Sequence, residues 1–426
     1  MQLNQATPAQ LQQWERELAE EYSRVKAQNL NLDLTRGKPS AEQLSLSDAL
    51  DGILQGNYQS DSGVDTRNYG GLDGIPEAKA LGEQIIGVPA ANILAGGNSS
   101  LTLMHQAIIA AHIFGLNGPD SAWSKEGKVK FICPVPGYDR HFAICEQMGI
   151  EMINVPMDSN GPDMDQVEAL LKQDSSIKGM WCVPKYSNPS GVVYSDATVE
   201  RIAALGKIAS ANFRVFWDNA YAIHDLSDTP PQLANIFSLC EKLGTQDSVL
   251  QFGSTSKITH AGSGVAFMGA SANNLKGFQK VLGFLTIGPD KINQLRHVKF
   301  FAKPGSLTEH MRKHAAIIKP RFASVLRHLE EAFGDNDLGS WESADGGYFV
   351  SFDTRPGLAK EVVKLAGEAG VKLTPAGATY PYGKDPQDRN IRIAPTVPTV
   401  SQVDAAMQVF VLCVKLASVR QALARA

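Results

Sequence analysis

The sequence predicts an α/β protein with a mainly parallel central sheet in a large domain and a smaller α+β domain after it. Three observations predict it. First, short and nearly continuous apolar runs recur through the middle of the chain: "VKFICPV" (129–135), "IEMINVPM" (150–157), "KGMWCVP" (178–184), "FRVFWDNA" (213–220), "SVLQFGS" (248–254) and "GVAFMGA" (264–270). Runs without polar alternation read as strands buried on both faces, the condition of a parallel sheet. Second, helical segments such as "SDATVERIAALGKIASA" (195–211) separate several of these runs. Third, the alternation stops near residue 305 and gives way to a long helical stretch and scattered strands.

The elements follow in order. Residues 7–29 read as an amphipathic helix: Thr7 is the N-cap, Pro8 takes the first position and Gln10 completes a capping box. Leu11, Trp14, Leu18, Tyr22 and Val25 then recur at helical spacing. "LDLTRGKPS" (32–40) is a short extended segment running into a loop, and "GGNSSLTLMHQ" (96–106) is a glycine turn opening a helix. After the strand–helix alternation come a helix over about 307–333 with Pro320 as a kink point, the strand "GGYFVSFDT" (346–354), and a helix. "VKLTPAG" (371–377), "NIRIAPT" (390–396) and a closing helix complete the chain. The expected division is an N-terminal segment 1–60 packing with the small domain, a large domain 61–305 and a small domain 306–426.

The 426 residues are 43% hydrophobic and 20% charged with a net charge of −4, an ordinary globular balance without the basic footprint of a nucleic-acid or membrane-surface binder. The longest uninterrupted apolar run, "AIIAAHIFGL" (107–116), is too short to cross a bilayer. The N-terminal stretch lacks the order of a secretory signal. Five scattered cysteines without a C-x-x-C pair point to a reducing, cytoplasmic setting. Neither H-E-x-x-H nor a Cys/His cluster marks a metal site.

Ligands of open α/β sheets sit beyond the carboxyl ends of the strands. That rule selects Asp218 at the end of "RVFWD", Lys257 after "VLQFGS", the turn "VPKYSNPSG", and "PVPGY". Lys257 has no carboxylate neighbour in sequence between Asp247 and Asp290. A lysine there either snorkels to solvent or is held neutral by desolvation, so that its amine forms a Schiff base. "STSK" also matches the S-x-x-K nucleophile of penicillin-binding proteins, but K-T-G is absent and "YSN" precedes the motif instead of following it. "GGNSS" is a phosphate site or a plain Asn/Ser cap. Asp218 is a cap or the buried partner of a cation. Arg392, in mid-strand, needs an anion from either the protein or a substrate.

In order and spacing these strings resemble the class I/II aminotransferases, pyridoxal-phosphate enzymes of fold type I, over most of the chain from "LTRGKP" to "IRIAPT". The resemblance implies that Lys257 carries pyridoxal 5′-phosphate as a Schiff base and is the general base. It implies that Asp218 pairs with the pyridinium nitrogen, and that Tyr221 and Asn188 contact the ring hydroxyl. Tyr138 would stack on the ring with His141 behind it. Asn98, Ser99, Ser100, Ser254 and Ser256 would surround the phosphate. Tyr69 would reach the phosphate of a neighbouring subunit, making the protein a homodimer. Gly37, Lys38, Asn188 and Arg392 would meet the substrate, Arg392 through its α-carboxylate.

One departure stands out: the family places an arginine about eight residues after the lysine, and "ITHAGSGVA" has none, with His260 and Ser263 as candidate substitutes. That stretch, with "LTRGKPS", "PGYDRHF" and "IGPDKINQLRH", is similar to an atypical bacterial subgroup of aspartate aminotransferases. The implied reaction is aspartate plus 2-oxoglutarate giving oxaloacetate and glutamate, with Arg36, Lys38, Arg140 and Arg296 as candidates for a distal carboxylate. Other amino-donor specificities and a β-lyase share the same motifs. A ligand-sensing regulator is disfavoured because about 30 residues before the first motif cannot hold a winged-helix domain.

Overall fold

A computed structural model describes residues 2–426. Its strands, in chain order, are β1 (Leu32–Asp33), β2 (Ile93–Ala95), β3 (Lys130–Val135), β4 (Glu151–Asp158), β5 (Gly161–Pro162), β6 (Ile177–Cys182), β7 (Arg214–Asp218), β8 (Val249–Ser254), β9 (Ala266–Ala270), β10 (Gly339–Trp341), β11 (Val350–Thr354), β12 (Val371–Lys372) and β13 (Asn390–Ile393). Eight of them form one sheet in the order β2-β9-β8-β7-β6-β3-β4-β5. The five inner strands β8-β7-β6-β3-β4 are parallel, and β9 runs antiparallel to both β2 and β8.

Side chains alternate across this sheet, so each apolar run feeds two cores. Phe131, Cys133, Trp181, Phe216 and Phe252 pack on one face with Leu103 and Met104 of helix Ser100–Ile109. Ile132, Met180, Cys182, Val215 and Trp217 pack on the other with Val199 and Ile202 of helix Asp196–Ala203. The sequence expectation of a helix over 195–211 is shortened here: the α-helix ends at Ala203 and a 3₁₀ turn covers Leu205–Lys207. The backbone is pressed against its neighbour at Gly206, where a Cβ would lie 2.9 Å from Ser248. Strand β2 was not anticipated, because three residues carry no periodicity to read.

The second layer of structure joins both ends of the chain. β10, β11 and β13 form an antiparallel sheet, and β1 pairs in parallel with β12. Helix Pro8–Lys26 begins with the full capping box, Gln10 N–H donating to Thr7 Oγ1 at 3.3 Å and Thr7 N–H to Gln10 Oε1 at 2.8 Å. Its Leu11, Leu18 and Tyr22 share a core with Phe322 and Val325 of the long helix Ser306–Phe333 and Phe410 of the closing helix Val400–Arg425. The closing helix is long and apolar enough to cross a membrane by length and composition alone. Its Val403, Phe410, Val414 and neighbours are buried in this core, which accounts for its composition. All five cysteines are buried and free.

Candidate active site

The carboxyl ends of β3, β6, β7 and β8 open into a cleft of about 560 Å³ that also receives the loop after β1 and one side chain of β13. Lys38, Gly37, Ser99, Ser100, Tyr138, Asn188, Asp218, Tyr221, Ser254, Ser256, Lys257 and Arg392 all line it. A larger, apolar groove of about 860 Å³ lies elsewhere, between residues 106–119 and helix Ala272–Leu285, and brings no acid–base set together.

Asp218 ends β7 and is buried. Its Oδ2 accepts a 2.9 Å hydrogen bond from His141 Nε2, whose ring stacks on Trp181 at 4.1 Å, while Oδ1 is buried without a partner. A dry, unpaired carboxylate oxygen costs about 1–3 kcal/mol or more, so this atom is built to receive a donor. Lys257 follows β8 by three residues, its Nζ 5.1 Å from the centroid of the Tyr221 ring and 5.9 Å from that of Tyr348. Part of its surface faces the cleft, yet protein surrounds the amine closely enough that desolvation lowers its pKa, with Asp218 pulling the other way. Burial, then the nearby Tyr138 and Asp218, pushes the Tyr221 phenol well above its ordinary value.

The serine side of the cleft is a cup of hydroxyls. Ser254 Oγ donates to Ser256 Oγ at 2.9 Å, and Ser256 Oγ donates to the Asn98 carbonyl at 2.9 Å. Helix Ser100–Ile109 starts at this cup, and its N-cap Ser99 makes no capping hydrogen bond, so its first amides stay free for an anion. The Asn98 side chain is turned away, donating to the Gly262 carbonyl at 3.1 Å. Neither His260 nor Ser263 lines the cleft: His260 stands 3.7 Å from Asp48, and Ser263 is exposed. Gly264 leaves no room for a longer residue, since its Cβ would sit 3.0 Å from Ser256 N. Tyr69 is 82% exposed on a loop outside the cleft, and Arg296 is exposed outside it as well.

On the opposite wall Arg392 is held loosely. Its guanidinium makes four contacts at 3.3 Å, to Asp139, Asn188, Thr374 and the Thr35 carbonyl, and lies 4.8 Å above the Phe349 ring. Asp139 is thus an anion that sequence reasoning did not pair with it. Gly37 packs on the same ring, where a Cβ would come within 2.3 Å of Phe349. Phe349, Thr35 and Thr374 were also missed, because small or apolar residues far from any motif carry no sequence signal for a cleft.

Behind Lys257, His310 and His314 both point Nε2 at the Ile258 carbonyl, at 2.6 and 2.8 Å. Burial and the neighbouring His310 depress His314 from 6.5 to about 4. The unfolded chain therefore binds a proton there between pH 6.5 and 4 that the folded chain refuses, and stability falls as pH drops through that window. Urea unfolding is expected to show wild type losing about 3 kcal/mol more than His314→Gln between pH 6.5 and 4. Parallel pH curves for the two proteins would remove His314 from this account.

The family model described as "Aspartate amino-transferase" matches residues 6–425. An aspartate aminotransferase of Corynebacterium glutamicum is 45% identical over 403 residues, covering 94% of this chain and 93% of that protein. A crystal structure of an aspartate transaminase from Corynebacterium glutamicum superposes with a TM-score of 0.96 at 43% identity, over 99% of both chains. An α-aminoadipate aminotransferase from Thermus thermophilus, solved with N-(5′-phosphopyridoxyl)-L-leucine, shares the fold at 19% identity and a TM-score of 0.74, over 98% of this chain and 96% of that one. The chain belongs to the aspartate aminotransferase family and is an aminotransferase of fold type I.

Proposed function

We propose that this aminotransferase uses pyridoxal 5′-phosphate to exchange an amino group between aspartate and 2-oxoglutarate, releasing oxaloacetate and glutamate. The observation that carries the reading is the unpaired, buried Oδ1 of Asp218 in the same cleft as a desolvated Lys257. A pyridinium N–H is a donor of the right charge for that oxygen, and the hydroxyl cup at a free helix N-terminus suits a phosphate, so the residues fit the cofactor. When bound, the cofactor supplies an electron sink for the pair left on the substrate Cα.

The chain's own residues do the rest. Lys257 Nζ would hold the cofactor through its aldehyde, and its amine is the base for the Cα proton. Asp218 holds a proton at the ring nitrogen, fixed by its bond to His141. Tyr221 and Asn188 would hold the ring hydroxyl, and Tyr138 would hold the ring. Ser99, Ser100, Ser254, Ser256 and the backbone at Asn98 would hold the phosphate. Arg392 turns its fork from four long contacts to the α-carboxylate, which offers shorter, charge-assisted bonds. Arg36, Lys38 and Arg140 stand on the exposed rim of the cleft, and none forms an ion pair among the described residues, which supports a dicarboxylic substrate. The name of the Corynebacterium glutamicum relative supports aspartate.

In this reading the active unit is a homodimer in which Tyr69 of one copy reaches the phosphate of the other. The chain divides into a large domain over 61–305, a small one over 306–426 and an N-terminal segment 1–60 that packs with the small domain. The buried free thiols fit a cytoplasmic location.

Borohydride reduction of the protein loaded with pyridoxal phosphate, followed by peptide mapping, is expected to place the phosphopyridoxyl mass on Lys257. A label on another lysine would sink the cofactor assignment. Faster transfer from alanine or phenylalanine than from aspartate would sink the substrate assignment and leave the cofactor standing.

A further inference from the structure

The segment "TIGPDK" (286–291) runs beneath the loop that carries Tyr69, and no role in the cleft accounts for it. Lys291, at the first position of helix Lys291–Phe300, is 3% exposed. Its Nζ donates to the carbonyl of Asn68 at 2.8 Å and to that of Gly70 at 2.5 Å, the two residues that flank Tyr69. Both acceptors are neutral backbone groups, so the ammonium is buried without a compensating carboxylate in either bond. A cation at the first turn of a helix also meets the positive end of the helix dipole. Two unfavourable placements of one charge are offset by two charge-assisted hydrogen bonds, and both bonds go to the Tyr69 loop.

The loop needs such a clamp. Gly70 (φ +95°) and Gly71 (φ +64°) follow Tyr69, and consecutive glycines leave a backbone with little intrinsic preference. A Cβ on Gly71 would stand 3.2 Å from Lys291 Cδ, and one on Gly288 would stand 2.4 Å from the Gly70 carbonyl, so loop and segment are seated on each other directly. The ring of Tyr69 nevertheless points outward, 82% exposed. Phe284 at 91%, two residues before this segment, and Ile287 at 64%, on it, are exposed too.

We propose that Lys291 is a positioning residue: it fixes the peptides on both sides of Tyr69, so that the tyrosine is presented as a rigid donor to the phosphate cup of a second copy of this chain. The proposal rests on the homodimer and cofactor reading above. It predicts that Lys291 acts on cofactor binding only through Tyr69.

The test is a double-variant cycle on the cofactor-depleted protein, titrated with pyridoxal phosphate, with hydrogen exchange read over residues 66–72. Lys291→Met and Tyr69→Phe are each expected to weaken cofactor binding on the order of tenfold. The double variant is expected to bind no more weakly than Tyr69→Phe alone, and exchange over 66–72 is expected to rise in Lys291→Met but not in Tyr69→Phe. Lys291→Arg, which keeps the charge and donors, is expected to recover most of the affinity. A fully additive double variant would overturn the proposal, because Lys291 would then act independently of Tyr69. Unchanged binding in Lys291→Met beside a weakened Tyr69→Phe sinks the clamp and leaves Tyr69 in place. An unaffected Tyr69→Phe removes the intersubunit contact on which the proposal rests, and the proposal with it. Should Lys291→Met not fold, Lys291→Gln, which retains a neutral donor, carries the same comparison.

Discussion

Replacing Lys257 with alanine is expected to lower the transamination rate by at least about 10⁴-fold, the upper range for loss of a general base, with the fold unchanged. The amine is the one cleft side chain that combines a nucleophilic nitrogen with a pKa lowered by burial. Its removal relieves a desolvated ammonium instead of breaking an ion pair, so unfolding by urea is expected to shift little. Single-turnover absorbance traces with aspartate measure the loss, and a variant within tenfold of wild type would refute the assignment. The pH dependence follows in sign. Burial lowers the Lys257 pKa below the usual 10.5, so the neutral amine persists at lower pH than for an exposed lysine, and activity falls as pH drops through the lowered value. Added small amines are expected to restore part of the rate to Lys257→Ala, with an acid limb that tracks the pKa of the added amine.

Asp218→Asn is expected to lower kcat by roughly 10²–10³-fold, the range for losing one preorganised electrostatic contact, and to change KM for aspartate much less. The substitution keeps the shape and an oxygen for the His141 bond but removes the charge that suits a cationic donor at Oδ1. The same charge raises the Lys257 pKa against the larger effect of burial. Its loss therefore lowers that pKa further, and the rate of chemical modification of Lys257 in the cofactor-depleted protein is expected to begin rising at lower pH than in wild type. A kcat within fivefold of wild type would show that Oδ1 meets no developing charge.

The sequence made the inner sheet readable because a parallel strand is apolar on both faces, and "RVFW" admits few other readings. It also made the chemical end of each strand readable, since Lys257 and Asp218 are polar residues placed where the apolar run stops. What it hid has physical causes. β2 is three residues long and finds its register only against β9. Asn98 sits beside the serines in sequence, but a glycine turn directs its side chain to the Gly262 carbonyl. Phe349 forms the floor under Arg392 and Gly37 from the residue just before β11, with no motif at all. The Arg392–Asp139 contact joins residues 253 positions apart, a pairing that composition and spacing cannot encode. "IGPDKINQLRH" was visible as a string, yet its Lys291 and Asn293 contact the backbone carbonyls of Asn68, Gly70, Ser263 and Gly264, which leave no complementary side chain to find.

The pairing of β1 with β12 sets a schedule for biosynthesis. Leu32 emerges early from the ribosome, but its strand partner Val371 follows 339 residues later, a wait on the order of half a minute at typical elongation rates of about 5–20 residues per second. Until then the first helix has no closing helix to lie on, and the wall of the cleft that carries Gly37 and Lys38 has nothing to hold it. A nascent chain can fold its large sheet and still be unable to grip a substrate, because its catalytic cleft is completed by the last segments to be translated.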